Sequence, residues 1–333
     1  MNQFGRLFRI SILGESHGEC VGLLIDGCPA GLSLSQEDFK TDIDRRKPGA
    51  KGTTPRIEDD IPFLKSGVFN GQTTGAPLLI LFENNNTRSE DYEKKRDFPR
   101  PGHADFVAHK KFGGFEDYRG GGHFSGRLTV ALVAAGVVAK KILANTKDNI
   151  QINASITEIG GETDQEKGLQ KAIDAKDSIG GIVECKATGL PIGLGEPFFD
   201  SLESSISHIV FAIPAIRGIE FGTGFAAAKM FGSQHNDAIE NMEGKTASNH
   251  AGGIVGGISN GNELVFRVAV KPTSSTPQNQ HTLNWSSGDM ETFSVKGRHD
   301  LCIALRVPVI LESVTAIVLA DSMLLEQRVN RIL

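Results

Sequence analysis

Along residues 263–271, "ELVFRVAVK", Leu264, Phe266, Val268 and Val270 fall on one side of an extended chain, and Glu263, Arg267 and Lys271 on the other. That period of two predicts a strand with one buried face. Shorter apolar runs predict four more strands: "VGLLID" (21–26), "PLLILF" (77–82), "INASITEI" (152–159) and "GIVECKA" (181–187). A different pattern marks 125–145, "SGRLTVALVAAGVVAKKILAN", and 307–329, "VPVILESVTAIVLADSMLLEQRV". Both are apolar on nearly every side of a helix, and Pro308 suits the first turn of the second. Helices of that kind need cover on several sides, which predicts an α+β chain in sheet–helix–sheet layers. A third helix is predicted over 35–46, "SQEDFKTDIDRR". Ser35 and Asp38 there hold capping-box positions, and Arg45 and Arg46 close the last turn before Pro48-Gly49.

Three stretches, 46–62, 84–102 and 271–300, have little regular pattern. Connections of that length inside a compact domain are usually functional loops. No Pro/Ser-rich or charged linker divides the chain, so residues 1–333 read as a single domain.

A net charge of −5 without a basic stripe argues against a nucleic-acid partner. The four cysteines have no metal-ligand spacing and read as free thiols of a reducing compartment. The start, "MNQFGRLFRI", lacks a signal-peptide core, and "TVALVAAGVVA", at 11 residues, is too short to cross a bilayer. A cytoplasmic protein without a membrane span is expected. Glycine is abundant and clustered, as in "RGGG" at 119–122 and "AGGIVGGISNG" at 251–261. Such clusters let the backbone approach a ligand or another backbone closely.

The chemistry sits in these loops. "SILGESHGEC" (11–20) places Glu15, Ser16 and His17 between glycines where a strand ends. His103 in "RPGHAD" and His299-Asp300 in "GRHD" stand in similar settings, and imidazoles so placed suit proton transfer near neutral pH. Arg45, Arg46 and Lys47, with Lys51 and Arg56 close behind, form a candidate polyanion clamp. "YRGGGHFSGR" (118–127) leads into a helix N-terminus, where backbone N–H groups bind anions. The G-x-G-x-x-A of Gly222, Gly224 and Ala227 lacks the following strand of a dinucleotide site and is set aside. These residues describe an enzyme acting on a small phosphorylated anion and leave the reaction unnamed.

Taken in order, "GESHG", "DRRKPG", "SGVFNGQTTGAP", "RPGHAD", "YRGGG", "GGISNG", "KPTSS" and "GRHD" resemble the chorismate synthase family nearly end to end. The resemblance implies a single-domain β-α-β sandwich assembled as a homotetramer. It also implies elimination of phosphate from 5-enolpyruvylshikimate 3-phosphate (EPSP) to give chorismate, with reduced FMN required although the net reaction is redox-neutral. By matching motif, His17 is implied as the acid for the departing phosphate, and His103 as the group that protonates or holds reduced flavin. Asp300 is implied near flavin N5, assisting removal of the C6 proton. Arg45, Arg46, Arg100, Arg127 and Arg298 are implied for the substrate's phosphate and carboxylates, Arg298 also for flavin. Flavin contacts are implied at His123, Phe124, Ser125, Pro214, Ala215, Gly256, Lys271, Pro272, Thr273, Ser274 and Ser275. Arg46 and Lys51 match positions assigned to NADPH; no added reductase segment is recognised, so a separate flavin reductase is expected. Where many members read "GGGRSSARE", this chain has "GGGHFSGRL" from Gly120, and a protonated His123 would restore the missing arginine's charge.

Overall fold

The computed structural model describes residues 2–49, 51–54, 58–85, 97–295 and 299–329. The strands β1 to β7 are Gln3–Phe4, Arg9–Gly14, Cys20–Asp26, Phe63–Ser66, Val68–Phe69, Gln72–Thr73 and Leu78–Glu83. Strands β8 to β15 are Gln151–Ile159, Gly181–Thr188, Ile216–Phe221, Ile254–Val255, Ile258–Ser259, Leu264–Val270, Gln280–Leu283 and Met290–Phe293. The helices α1 to α7 are Lys40–Arg46, Asp105–Phe112, Thr129–Ala144, Gln165–Ala175, Leu202–Val210, Gly232–His235 and Val307–Leu325.

One antiparallel sheet runs β1-β2-β3-β7-β4, and a second runs β10-β13-β9-β8. Between them α3 packs on β2 and β3, α7 packs on β8 and β9, and the two helices pack on each other. This is the layered α+β architecture that the two apolar helices demand. The alternation on β13 survives intact: Leu264, Phe266, Val268 and Val270 are all buried. In the other sheet Leu23 pairs with Ile80, both fully buried. Helices α3 and α7 touch backbone to backbone where they cross, since a methyl on Gly136 would lie 2.3 Å from Ser313 Cβ.

Several elements differ from expectation. The apolar segment Ile303–Leu325, 23 residues, is long and apolar enough by length and composition to cross a membrane, where the sequence reading expected no span. Most of it is buried inside the fold, and cover by a sheet and by α3 accounts for its composition. Its two acidic residues work inside the protein. Glu312 accepts both guanidinium nitrogens of Arg45 at 2.7 Å, Lys140 at 3.3 Å and the Ala154 N–H at 3.1 Å. Asp321 accepts the N–H groups of Arg6, Leu7 and Phe8 at 2.9, 2.7 and 2.7 Å. The 35–46 helix is split into a 3-10 turn, Gln36–Phe39, and α1. Within 271–300, read as unpatterned, β14 and β15 pair as a hairpin whose turn is pinned by Trp285 N–H donating to the Asp97 carbonyl.

Candidate functional site

A cavity of about 530 Å³ opens beside the first turns of α3 and α7. Its wall gathers Arg46, Arg100, His103, His123, Phe124, Ser125, Arg127, Pro214, Ala215, the run 271–275 and Asp300. These residues span most of the chain length, so the topology brings the loops together.

The turn at 119–124 organises the site. Gly120, Gly121 and Gly122 all have positive φ, 60°, 84° and 52°, a conformation costly for residues with a Cβ. Ser16 N–H donates to the Gly122 carbonyl at 3.1 Å, and His123 Nδ1 lies 2.8 Å from the Gly14 carbonyl, which makes that nitrogen a donor. The turn is thus sewn to the loop after β2. His17 is buried behind it and is not part of the cavity wall: a methyl on Gly120 would stand 2.2 Å from His17 Nδ1 and Cε1. A methyl on Gly121 would stand 3.2 Å from His103 Nε2. Two adjacent glycines therefore separate the two imidazoles.

Charge on the wall is held in paired sets. Asp105 Oδ1 lies 2.6 Å from His103 Nδ1, and the carboxylate takes Arg100 Nε at 2.7 Å and Nη2 at 2.8 Å. Burial works to raise the Asp105 carboxyl, but the hydrogen bonds from Arg100 and His103 outweigh it and hold the group well below the usual carboxylate range. Asp60, buried and at φ 52°, joins Arg46 through one oxygen (3.2 Å) and Arg127 through the other. Arg46 also donates to Thr129 Oγ1, the Gly126 carbonyl and the Arg127 carbonyl at 3.0, 3.0 and 3.1 Å. Its burial, with Arg306 beside it, pulls the guanidinium down to about 9 against the attraction of Asp60. Asp300 accepts the Thr54 N–H at 2.8 Å and Arg306 Nη1 at 3.3 Å, while Arg306 Nε donates to the Arg46 carbonyl at 3.0 Å. Lys271 Nζ donates to the Gly102 carbonyl at 3.1 Å and to Ser274 Oγ at 2.6 Å, closing the wall between 100–105 and 271–275. Burial, reinforced by Arg217, lowers the Lys271 amine.

Other expected residues stand apart. Arg45 is turned away from the cavity because the buried Glu312 claims its guanidinium. Gly256 is also off the wall. With Gly257 it fills the two-residue turn between β11 and β12, at φ 64° and 90°, the geometry a two-residue hairpin loop requires. Lys51 is exposed on a loop whose Gly52 carbonyl receives the Leu301 and Cys302 N–H groups, and it does not line the cavity. Arg298 lies outside the described residues. Sequence reading missed Thr54, Asp60, Asp105 and Arg306. Asp105 was legible in principle, two residues after His103 in a quoted motif, whereas Asp60 and Arg306 have no local pattern to mark them.

With that geometry in place, comparison with known proteins is direct. The family model described as chorismate synthase matches residues 8–324. A chorismate synthase of Chitinophaga pinensis is 72% identical over 332 residues, spanning 100% of this chain and 99% of that protein. One of Dehalococcoides mccartyi is 44% identical over 350 aligned positions, spanning 96% of each. A solved structure described as "Crystal Structure of Chorismate Synthase" superposes with a TM-score of 0.74 at 28% identity, covering 97% of this chain and 93% of that one.

Proposed function

The chain belongs to the chorismate synthase family of lyases, and from that premise we propose that its cavity eliminates phosphate from EPSP to form chorismate, with reduced FMN bound beside the substrate. The observation that carries this reading is the meeting of "RPGHAD", "YRGGG", "KPTSS" and Asp300 on one cavity supplied with cations.

The residues fit a flavin. Phe124, Pro214, Ala215, Ile303, Val307 and Ile310 offer an apolar wall to a flat ring system. Thr273 brings a buried hydroxyl with no hydrogen-bond partner among the described residues, a ready donor for a ligand's polar end. The volume of about 530 Å³ lies within the usual range for ligand cavities, roughly 300–1,000 Å³. Bound reduced FMN would supply the electron density that weakens the substrate's C–O bond.

The chain's own groups then divide the remaining work. Arg100, Arg127 and Lys271 set a positive field for the phosphate and carboxylates, and preorganised charge of this kind commonly contributes more to catalysis than any other single effect. His17 is the proton source for the bridging oxygen as phosphate leaves; it stands behind Gly120 and must reach the cavity past that glycine, which carries no side chain to block it. His103 would hold charge balance at a bound flavin. Asp300, steadied by Thr54 and Arg306, assists departure of the C6 proton. The NADPH assignment fits poorly: Arg46 spends its donors on Thr129, Asp60 and two carbonyls, and no step of the elimination needs a pyridine nucleotide. A separate flavin reductase therefore belongs to the reading, as does a homotetramer, which the exposed Phe198 and Phe199 support as contact surface.

The test is anaerobic. Protein mixed with EPSP and a trace of chemically reduced FMN should release chorismate and phosphate in equal amounts over many turnovers per flavin. Absence of product contradicts the proposal, and flavin oxidised in step with substrate would favour an oxidoreductase.

A further inference from the structure

We propose that Asp105, which does not line the cavity, is a positioning residue that fixes the proton of His103 on Nδ1 and so presents Nε2 to the ligand; this rests on the role just given to His103. Three features carry it. The His103 Nδ1 to Asp105 Oδ1 distance of 2.6 Å is that of a charge-assisted hydrogen bond, and a carboxylate at Nδ1 leaves that nitrogen no role but donor. The carboxylate is itself immobilised: Arg100 grips both its oxygens, and the Arg100 N–H adds a bond at 3.1 Å. Asp105 is also the first residue of α2, where the helix dipole favours negative charge. It stays ionised through the working range, so a histidine in contact with it has a fixed anionic partner at every relevant pH.

Other charged groups near His103 among the described residues are Arg100, Lys271 and His17. Arg100 Nη2 lies 3.0 Å from Nδ1 and 3.2 Å from Nε2, a distance pair that puts the guanidinium against the side of the ring. Lys271 reaches the Gly102 carbonyl next to it, and His17 stands on the far side of Gly120. Among the described residues Asp105 is the anionic group in contact with the ring, and that contact sets the tautomer.

Two measurements test this on the full chain. In wild type labelled with 15N-histidine, with His103 assigned by comparison with His103→Gln, the neutral ring should carry its proton on Nδ1. Asp105→Asn should lower kcat by about 10- to 100-fold with KM for EPSP changed less than about threefold, as when an ordered histidine loses its outer partner. Asp105→Glu should recover part of the rate. A proton on Nε2 in wild type, or an Asp105→Asn enzyme with unchanged kcat, would overturn the proposal. The tautomer is read without turnover. A wild type that forms no chorismate therefore defeats the functional reading and leaves the Asp105 question decided by its own spectrum.

Discussion

Gly120 packs against the His17 ring and Gly121 against the His103 ring, and this spacing is set by backbone conformation. Any side chain at Gly120 collides with the His17 ring and must also adopt φ 60°. Gly120→Ala should therefore displace the imidazole by about 1 Å and lower kcat by about 100-fold, the usual effect of such a misplacement. Substrate KM should change little, and steady-state kinetics beside a thermal melt will separate the effect from unfolding; a full-rate Gly120→Ala enzyme would remove His17 from the reaction. At this scale the sequence was informative where chemistry is local. His103 and Asp300 stand in short glycine-flanked motifs and line the cavity, and His17 stands directly behind its wall. Asp60 and Arg306 could not be read, because no local motif marks them and each also joins a distant partner: Arg127 is 67 residues from Asp60, and Arg46 is 260 from Arg306.

At the level of elements, α7 shows how polar residues are tolerated in an apolar helix. Burial tends to raise the Glu312 carboxyl, but the bonds from Arg45 and Ala154 and the charge of Lys140 bring it below its ordinary value of 4.5. A carboxylate lowered on folding stabilises the native state fully above its unfolded value and loses that contribution as pH falls through its native one. Glu312→Gln should thus be less stable than wild type by about 2 kcal/mol at pH 7, the scale of a hydrogen bond to a charged group. In urea titrations the gap should narrow steadily below pH 4.5, and a constant gap would show that the charge contributes nothing. Where α3 and α7 cross, Gly136→Ala must push the helices apart and should cost about 1–3 kcal/mol. A neutral change in calorimetry would mean the crossing is loosely packed. Five strands (β3, β7, β8, β9 and β13) and both long helices were legible because their periodicity answers to burial on one or all sides. Helices α2, α4, α5 and α6 were not predicted: they are short, and their stability comes from the tertiary surfaces on which they dock.

For the whole molecule, the sheet–helix–sheet stack leaves the starts of α3 and α7 side by side, and loops from both halves of the chain close over them. Layering could be argued from two helices apolar all round, since each needs cover on opposite sides. Which loops meet could be expected only from family resemblance, because nothing local in "KPTSS" refers to "RPGHAD" 170 residues earlier, though Ser274 Oγ and Lys271 Nζ both reach the Gly102 carbonyl. The central claim is that these loops form one composite site. Hydrogen–deuterium exchange with and without EPSP plus FMN measures that most directly. Segments 14–18, 100–105, 119–125 and 271–275 should gain protection together, with α4 unchanged. Protection confined to one of those segments, or centred elsewhere, would contradict the account.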